Sequence, residues 1–242
     1  MAAWQRARGE DQKRERRQAI VSAAWEIFQQ VPFHAITMAQ VAQRLGLSKG
    51  TLYLYFKTKE ALFLAVQLEQ LETWIYGLEA DLAAWNGTGD TTAVLRVIRD
   101  SVPKRLPVIR LVSLLEGILE HNVEAETAME FRRRMAMRLT AIGARLEVCL
   151  PYLRPGEGAR FALHTQALMV GMLQHASPSP AVKRMLQTPG LEVLNIDYLS
   201  EVTDAMELLL LGFASRGTAA RGLVARGFAA HGTDPSDAGA LP

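Results

Sequence analysis

The chain of 242 residues predicts an all-α fold, on three observations. Apolar residues recur three and four positions apart along most of its length, the period of helices buried on one face. Proline and glycine cluster at intervals that leave helix-length segments between them. No stretch alternates with the period of two that marks a half-buried strand, and there is no internal repeat. A hydrophobic content of 49% is enough for a substantial core.

From Lys13 to Gln30, Ile20, Ala24, Ile27 and Phe28 line one face of a first helix, and Pro32 ends it. Thr37 opens a second helix. Its hydroxyl can cap a free N–H while Gln40, three residues on, reaches back in a capping box. Met38, Val41, Ala42 and Leu45 form the buried stripe, and Gly46 supplies the left-handed break. Ser48 caps a very short third helix with Leu52 and Phe56 pointing inward. Thr58 caps a long fourth helix that runs to about Trp85, before the break Asn86-Gly87-Thr88-Gly89-Asp90.

Further helical patterns fill 91–101, 106–121, 125–149, 157–176 and 195–214. Pro103 and Pro107, Pro151, Pro155-Gly156, Pro178, Pro180 and Pro189-Gly190 punctuate them. Beyond 214 the chain is mostly Ala, Gly and polar residues, so a disordered tail is expected over 215–242. Residues 1–11 are expected to form a flexible arm, 12–60 a compact head and 61–214 a helical body.

The net charge of +2 hides an asymmetry. Residues 1–60 hold ten Lys and Arg against five acids, a local excess of five that leaves the remainder at −3. No acid lies between Ile27 and Lys59. A basic head on a mildly acidic body points to a polyanion held at one end. The single cysteine, Cys149, excludes an intramolecular disulfide framework and fits a reducing cytoplasm. The first residues do not read as a signal peptide, and no apolar run reaches the roughly 18 residues of a membrane span. No membrane partner is expected.

Residues 37–62 therefore carry the chemistry: two short helices joined by a turn, the layout of a helix-turn-helix that sets one helix in the DNA major groove. Leu52 and Phe56 anchor the second of them. Lys49, Thr51 and Tyr53 lie on the other side, Gly50 permits close backbone approach, and Tyr55 and Lys59 come where phosphates should pass. Thr37 sets a hydroxyl beside free N–H groups, a seat for a phosphate. Taken alone, Tyr53, Tyr55 and Phe56 read as core aromatics; the acid-free surroundings, paired caps and glycine turn favour the nucleic-acid reading.

The segment resembles the DNA-binding domain of the TetR/AcrR family of transcriptional regulators, over about residues 12–66. The residues that carry the likeness are Thr37, Val41, Ala42, Gly46, Leu47, Ser48, Gly50, Thr51, Tyr53, Tyr55, Phe56, Lys59, Glu60 and Leu62. One departure is the link Val31-Pro32-Phe33-His34, where a glycine-containing turn is common in the family. The resemblance implies Thr37, Ser48, Lys49, Thr51, Tyr53, Tyr55 and Lys59 as DNA-facing positions. It also implies a C-terminal helical bundle for ligand binding and dimerisation.

The body's sequence supports a dimer independently. Leu191 to Phe213 is apolar on nearly all sides, and the 157–176 helix has small Ala167 and Gly171 for close approach. Phe161, Thr165, Leu168, Met172, Val202, Met206, Leu209 and Leu210 are the expected interface, a four-helix arrangement about a twofold axis. Trp74, Leu114, Leu115, Ile118, His121, Met135, His164 and Met169 are candidate pocket residues for a small apolar ligand, although each singly also fits a plain core. His121, His164 and His175 lack metal-site spacing within a helix, and no metal or cofactor is expected. The expected function is a homodimeric repressor released from a palindromic operator by a small molecule. The rivals, a sequence-indifferent DNA-packaging protein and a helical enzyme with a phosphate-binding head, lack support. The net positive charge is confined to one end while the body is mildly acidic, and there is no Walker-type loop, nucleophile–base pair or metal-ligand spacing.

Overall fold

The computed structural model describes residues 2–85 and 89–229. Ten α-helices carry the described chain: α1 (Ala2–Phe28), α2 (Met38–Arg44), α3 (Lys49–Tyr53), α4 (Lys59–Trp85), α5 (Thr91–Ser101), α6 (Leu106–Val112), α7 (Ala125–Cys149), α8 (Glu157–Ala176), α9 (Pro180–Met185) and α10 (Tyr198–Ala229). None of the described residues is in a strand. No helix among them is long and apolar enough to cross a membrane.

The head is α1–α3 packed on the first turns of α4. Phe28 and Phe33 both meet Phe63 of α4, with ring centroids 5.8 and 5.1 Å away. Ile20, Ala24, Val41, Leu52 and Phe56 are buried in the same hydrophobic core. Such aromatic pairs contribute about 0.5–1.5 kcal/mol each beyond the area they bury. Phe33 belongs to a 3-10 turn, Phe33–Ala35, which replaces the glycine-containing link expected of the family by a buried aromatic plug. The body stacks α4, α7, α8 and α10 in sequence, with α5 and α6 closing the side. At the α7–α8 crossing a Cβ on Gly143 would overlap the backbone of Ala159, and one on Gly158 the backbone of Gly143. The two glycines let these backbones touch.

Several boundaries depart from expectation. The arm 1–11 is not separate: residues 2–11 continue α1, and the side chains of Arg6 and Arg8 lie outside the described residues. The expected helix 106–121 stops at Val112, then resumes as a π-helical segment, Leu115–Leu119, and a 3-10 turn, Glu120–Asn122. Leu119 donates to the carbonyl of Leu114, five residues back, the bond that defines the wider π turn. Helix α9 was not anticipated; Ser179 caps it through the Val182 N–H at 3.3 Å, with Pro180 in the first turn. Helix α10 runs on to Ala229, well past 214, in keeping with the high helix propensity of its Ala and Arg residues. Residues 230–242 of the expected tail, and 86–88 of the expected break, lie outside the described residues.

Candidate nucleic-acid interface

The caps position the head's surface. Thr37 Oγ1 accepts from Gln40 N at 3.2 Å while Gln40 Oε1 accepts from Thr37 N at 2.7 Å, a complete capping box. Gly46 turns the chain at φ +64°. Ser48 Oγ accepts from Thr51 N at 3.0 Å and lies 2.8 Å from Thr51 Oγ1. Helix α3 is thereby aimed outward from Leu52, which is fully buried, with Thr37, Ser48, Lys49, Gly50 and Tyr53 exposed around it. Lys49 Nζ stands 5.9 Å from the Tyr53 ring centre, so cation and phenol share one outward face. Thr51 and Tyr55 are half-buried at its edges.

Lys59 needs a correction. Its ammonium donates to the carbonyls of Phe33 (3.0 Å) and Ile36 (3.2 Å) and sits 4.1 Å from the Phe33 ring centre. It is a half-buried tie between α4 and the 3-10 turn, with two of its three donors already used on protein carbonyls. Arg44 is likewise taken, forking onto Glu26 at 3.0 and 2.6 Å and locking α2 to α1. Lys13 and Arg16 of α1 are exposed and form no ion pair among the described residues; with Tyr55 and Leu47 they rim a hollow beside α3. These two and Leu54, 82% exposed next to Tyr53, were not singled out from sequence. An apolar side chain left bare at the end of α3 is recognisable only once the helix phase is known.

The head is bolted to the body. Lys57 pairs with Glu124 at 2.6 Å, which holds the lysine pKa above its ordinary value. Thr58 Oγ1 donates to the carbonyl of Asn122 at 3.3 Å, and Gln18 donates to Glu69 at 2.6 Å. Farther along α4, Glu72 is gripped by Arg134 at 2.6 Å and by Arg138 at 3.3 Å of α7.

The body holds an apolar pocket of about 90 Å³ that is partly open to the surface. Helix α4 lines it with Leu71, Trp74, Ile75, Leu78 and Leu82; α7 adds Leu139, Ile142 and Leu146; α8 adds Phe161, Thr165, Gln166 and Met169. No charged side chain is among its lining residues. Of the pocket residues read from sequence, Trp74 and Met169 come together here. Met135 is buried one turn beyond the cavity's end on α7, and Leu114 packs against the core elsewhere. Ile118, His121 and His164 are exposed, turned away by the π segment, the following 3-10 turn and the phase of α8. The side chain of Leu115 lies outside the described residues. Among those described, no group of His, Cys, Asp and Glu is placed to hold a metal ion. Cys149 is buried, and burial pushes its thiol pKa up, which makes it a poor nucleophile.

The expected dimer face also changes. Phe161 and Thr165 are buried beside the apolar pocket, and Val202, Met206 and Leu210 are buried on α10, which packs on α8 and α5 within the protomer. Leu168, Met172 and Leu209 are half-buried, and among the described side chains of these helices the large apolar ones left open are Leu163, Leu208 and Leu211.

Residues 20–66 match the family described as bacterial regulatory proteins, tetR family, and residues 68–217 match the tetracyclin repressor-like C-terminal domain. The HTH-type transcriptional regulator RutR of Escherichia coli (strain K12) is 42% identical over 65 residues, 27% of this chain and 31% of that protein. The fatty acid metabolism regulator protein of Bacillus subtilis (strain 168) is 27% identical over 122 residues, 50% of this chain and 56% of that one. The chain thus matches about a third to a half of the length of these relatives. A TetR-family regulator structure from Mesorhizobium loti superposes with TM-score 0.54 at 15% identity, covering 83% of this chain and 96% of its own. One from Streptomyces coelicolor gives 0.50 at 19%, covering 82% and 98%. At these identities the two structures attest the fold alone. With both family domains matched over most of its length and a capped, outward-facing third helix in place, the chain belongs to the TetR family of DNA-binding transcriptional regulators.

Proposed function

We propose that the protein is a homodimeric repressor that binds a palindromic operator and leaves it when a small apolar molecule occupies the body. The observation that carries this reading is the course of α4. A single helix begins in the head at Lys59, beside the capped α3, and its later turns form one wall of the apolar cavity. At 27 residues it is about 40 Å long. Anything that parts α4 from α7 and α8 must therefore move the head, and the Glu72 ion pairs and the Lys57–Glu124 bolt transmit that motion. A coupling of about 1–3 kcal/mol, or 5- to 150-fold in affinity, suffices for a switch.

Thr37, Ser48, Lys49, Gly50, Thr51, Tyr53 and Tyr55 are the proposed DNA contacts, with Lys13 and Arg16 added as phosphate ligands. Leu163, Leu208 and Leu211, flanked by Leu168, Met172 and Leu209, are the proposed dimer face. Two copies would then present α3 to successive major grooves about 34–36 Å apart. The buried thiol and absent disulfides fit a cytoplasmic protein.

The test is a band-shift titration with duplex from the gene's own upstream region at moderate salt. A saturable shift that unrelated duplex does not compete away is expected. Equal affinity for any duplex would instead support the packaging reading.

A further inference from the structure

Thr165 behaves unlike Thr73, Thr140 and Thr203, the other mid-helix threonines whose side chains are described. Thr73, Thr140 and Thr203 each turn the hydroxyl back onto the carbonyl four residues earlier, at 2.8, 2.9 and 2.6 Å. That is the ordinary resting place of a helical threonine. Thr165 lies in the middle of α8, is only 6% exposed, and its Oγ1 has no hydrogen-bond partner. It lines the apolar cavity. A buried hydroxyl without a partner forgoes its own hydration, and such groups call for a specific explanation. On α4, one turn from the cavity-lining Leu71, Gln67 is fully buried with both amide atoms likewise unpartnered. The indole N–H of Trp74 is by contrast already given to Ser101 Oγ at 2.9 Å, so this residue offers the cavity only its ring.

Resting on the ligand-responsive reading above, we infer that the cavity's ligand is a small uncharged molecule, apolar except for one hydroxyl or carbonyl that hydrogen-bonds to Thr165. Three features set this class. The lining holds neither a cation for a carboxylate nor a carboxylate for an amine, and an unpaired charge in such a site would lose its hydration uncompensated. The volume of about 90 Å³ is below that of an engineered apolar cavity of about 150 Å³ that takes up benzene, so even a single-ring molecule enters only by spreading the helices or reaching out through the pocket's open side. The only hydroxyl in the lining is the one left without a bond. Gln67 supplies a further polar contact if the cavity lengthens toward the head, so occupancy at that end acts on the same helix that carries the head.

The experiment is calorimetric titration of the full chain at neutral pH with phenol, toluene, benzoate and benzylammonium, repeated on Thr165→Val and Thr165→Ser. Phenol should bind the native protein, and benzoate and benzylammonium at least tenfold more weakly. Val should cost phenol about tenfold and leave toluene unchanged, while Ser restores phenol. Thr165→Val should also melt no lower than the native protein, because it deletes an unbonded hydroxyl. Benzoate binding as tightly as phenol, an unchanged phenol affinity in Thr165→Val, or no binding by any probe would overturn the inference. If phenol binds through Thr165 yet leaves operator affinity untouched, the ligand class stands and the ligand-responsive reading fails.

Discussion

Lys59 is the residue whose role the three-dimensional arrangement changes most. From sequence it reads as a phosphate contact at the exit of the recognition helix; in the fold it fastens α4 to the carbonyls of Phe33 and Ile36. Buried carbonyls bonded to a charged donor lose about 1–3 kcal/mol when that donor goes. Lys59→Ala should therefore lower the melting temperature by roughly 3–9 °C for a chain of this size, together with DNA affinity. A lysine that served phosphate alone would leave the melting point unchanged in thermal denaturation. Tyr198 makes a prediction in pH. Its hydroxyl donates to the carbonyl of Met169 at 3.2 Å, and burial pushes its pKa from 10.0 up to about 12. A pKa raised on folding gives stability that is complete below the unfolded value and is lost as pH climbs through the folded one. Stability should thus fall between about pH 10 and pH 12 on this account, and Tyr198→Phe should flatten that part of the alkaline denaturation curve. An unchanged slope in the variant would mean that another group governs the alkaline limb.

At the scale of elements, legibility followed the strength of local rules. Helices α5, α7 and α8 fall on the residues expected, and apart from the uncapped start of α7 their ends are marked locally by the Asp90 cap, Pro103, Pro151, Gly156 and Pro178. The capping box at Thr37 and the caps at Ser48 and Thr58 were readable for the same reason. What escaped was phase and partner. A helix apolar on several sides does not say which side its own protomer covers, so Val202, Met206 and Leu210 could be taken for an interface when they close the protomer's core. The pocket is built mostly of branched aliphatics at ordinary core spacing, so of the residues that stand out in the sequence only Trp74 and Met169 line it. The glycines of the α7–α8 crossing carry no local signal either. Gly158→Ala should overpack that crossing at a cost of about 1–3 kcal/mol, a melting decrease of several degrees. Gly77→Ala, on an exposed stretch of α4 with nothing within 4 Å, should instead raise stability by about 0.5–1 kcal/mol. If Gly158→Ala melts no lower than the native chain, the contact of α7 with α8 is looser than described.

For the whole molecule, the sequence-level charge split and the structure meet at one place. The acid-free stretch from Ile27 to Lys59 wraps the exposed side of α2 and α3, and within the helices that flank it Glu26 is neutralised by Arg44. The mildly acidic remainder lies in the body, away from the proposed DNA face, which favours one docking orientation. The long α4 then turns two separate sites into one coupled system. Its consequence is geometric: in a twofold dimer, the separation of the two α3 helices is set by how the bodies pack, and the operator must match it. Sedimentation of the protein on symmetric duplexes that carry two half-sites measures this most directly. Two protomers should bind when half-sites are about one helical turn apart, or a whole multiple of it, and binding should be lost when a half-turn of about 5 base pairs is inserted. Binding that survives the half-turn insertion, or saturates at one protomer per duplex, would contradict this geometry.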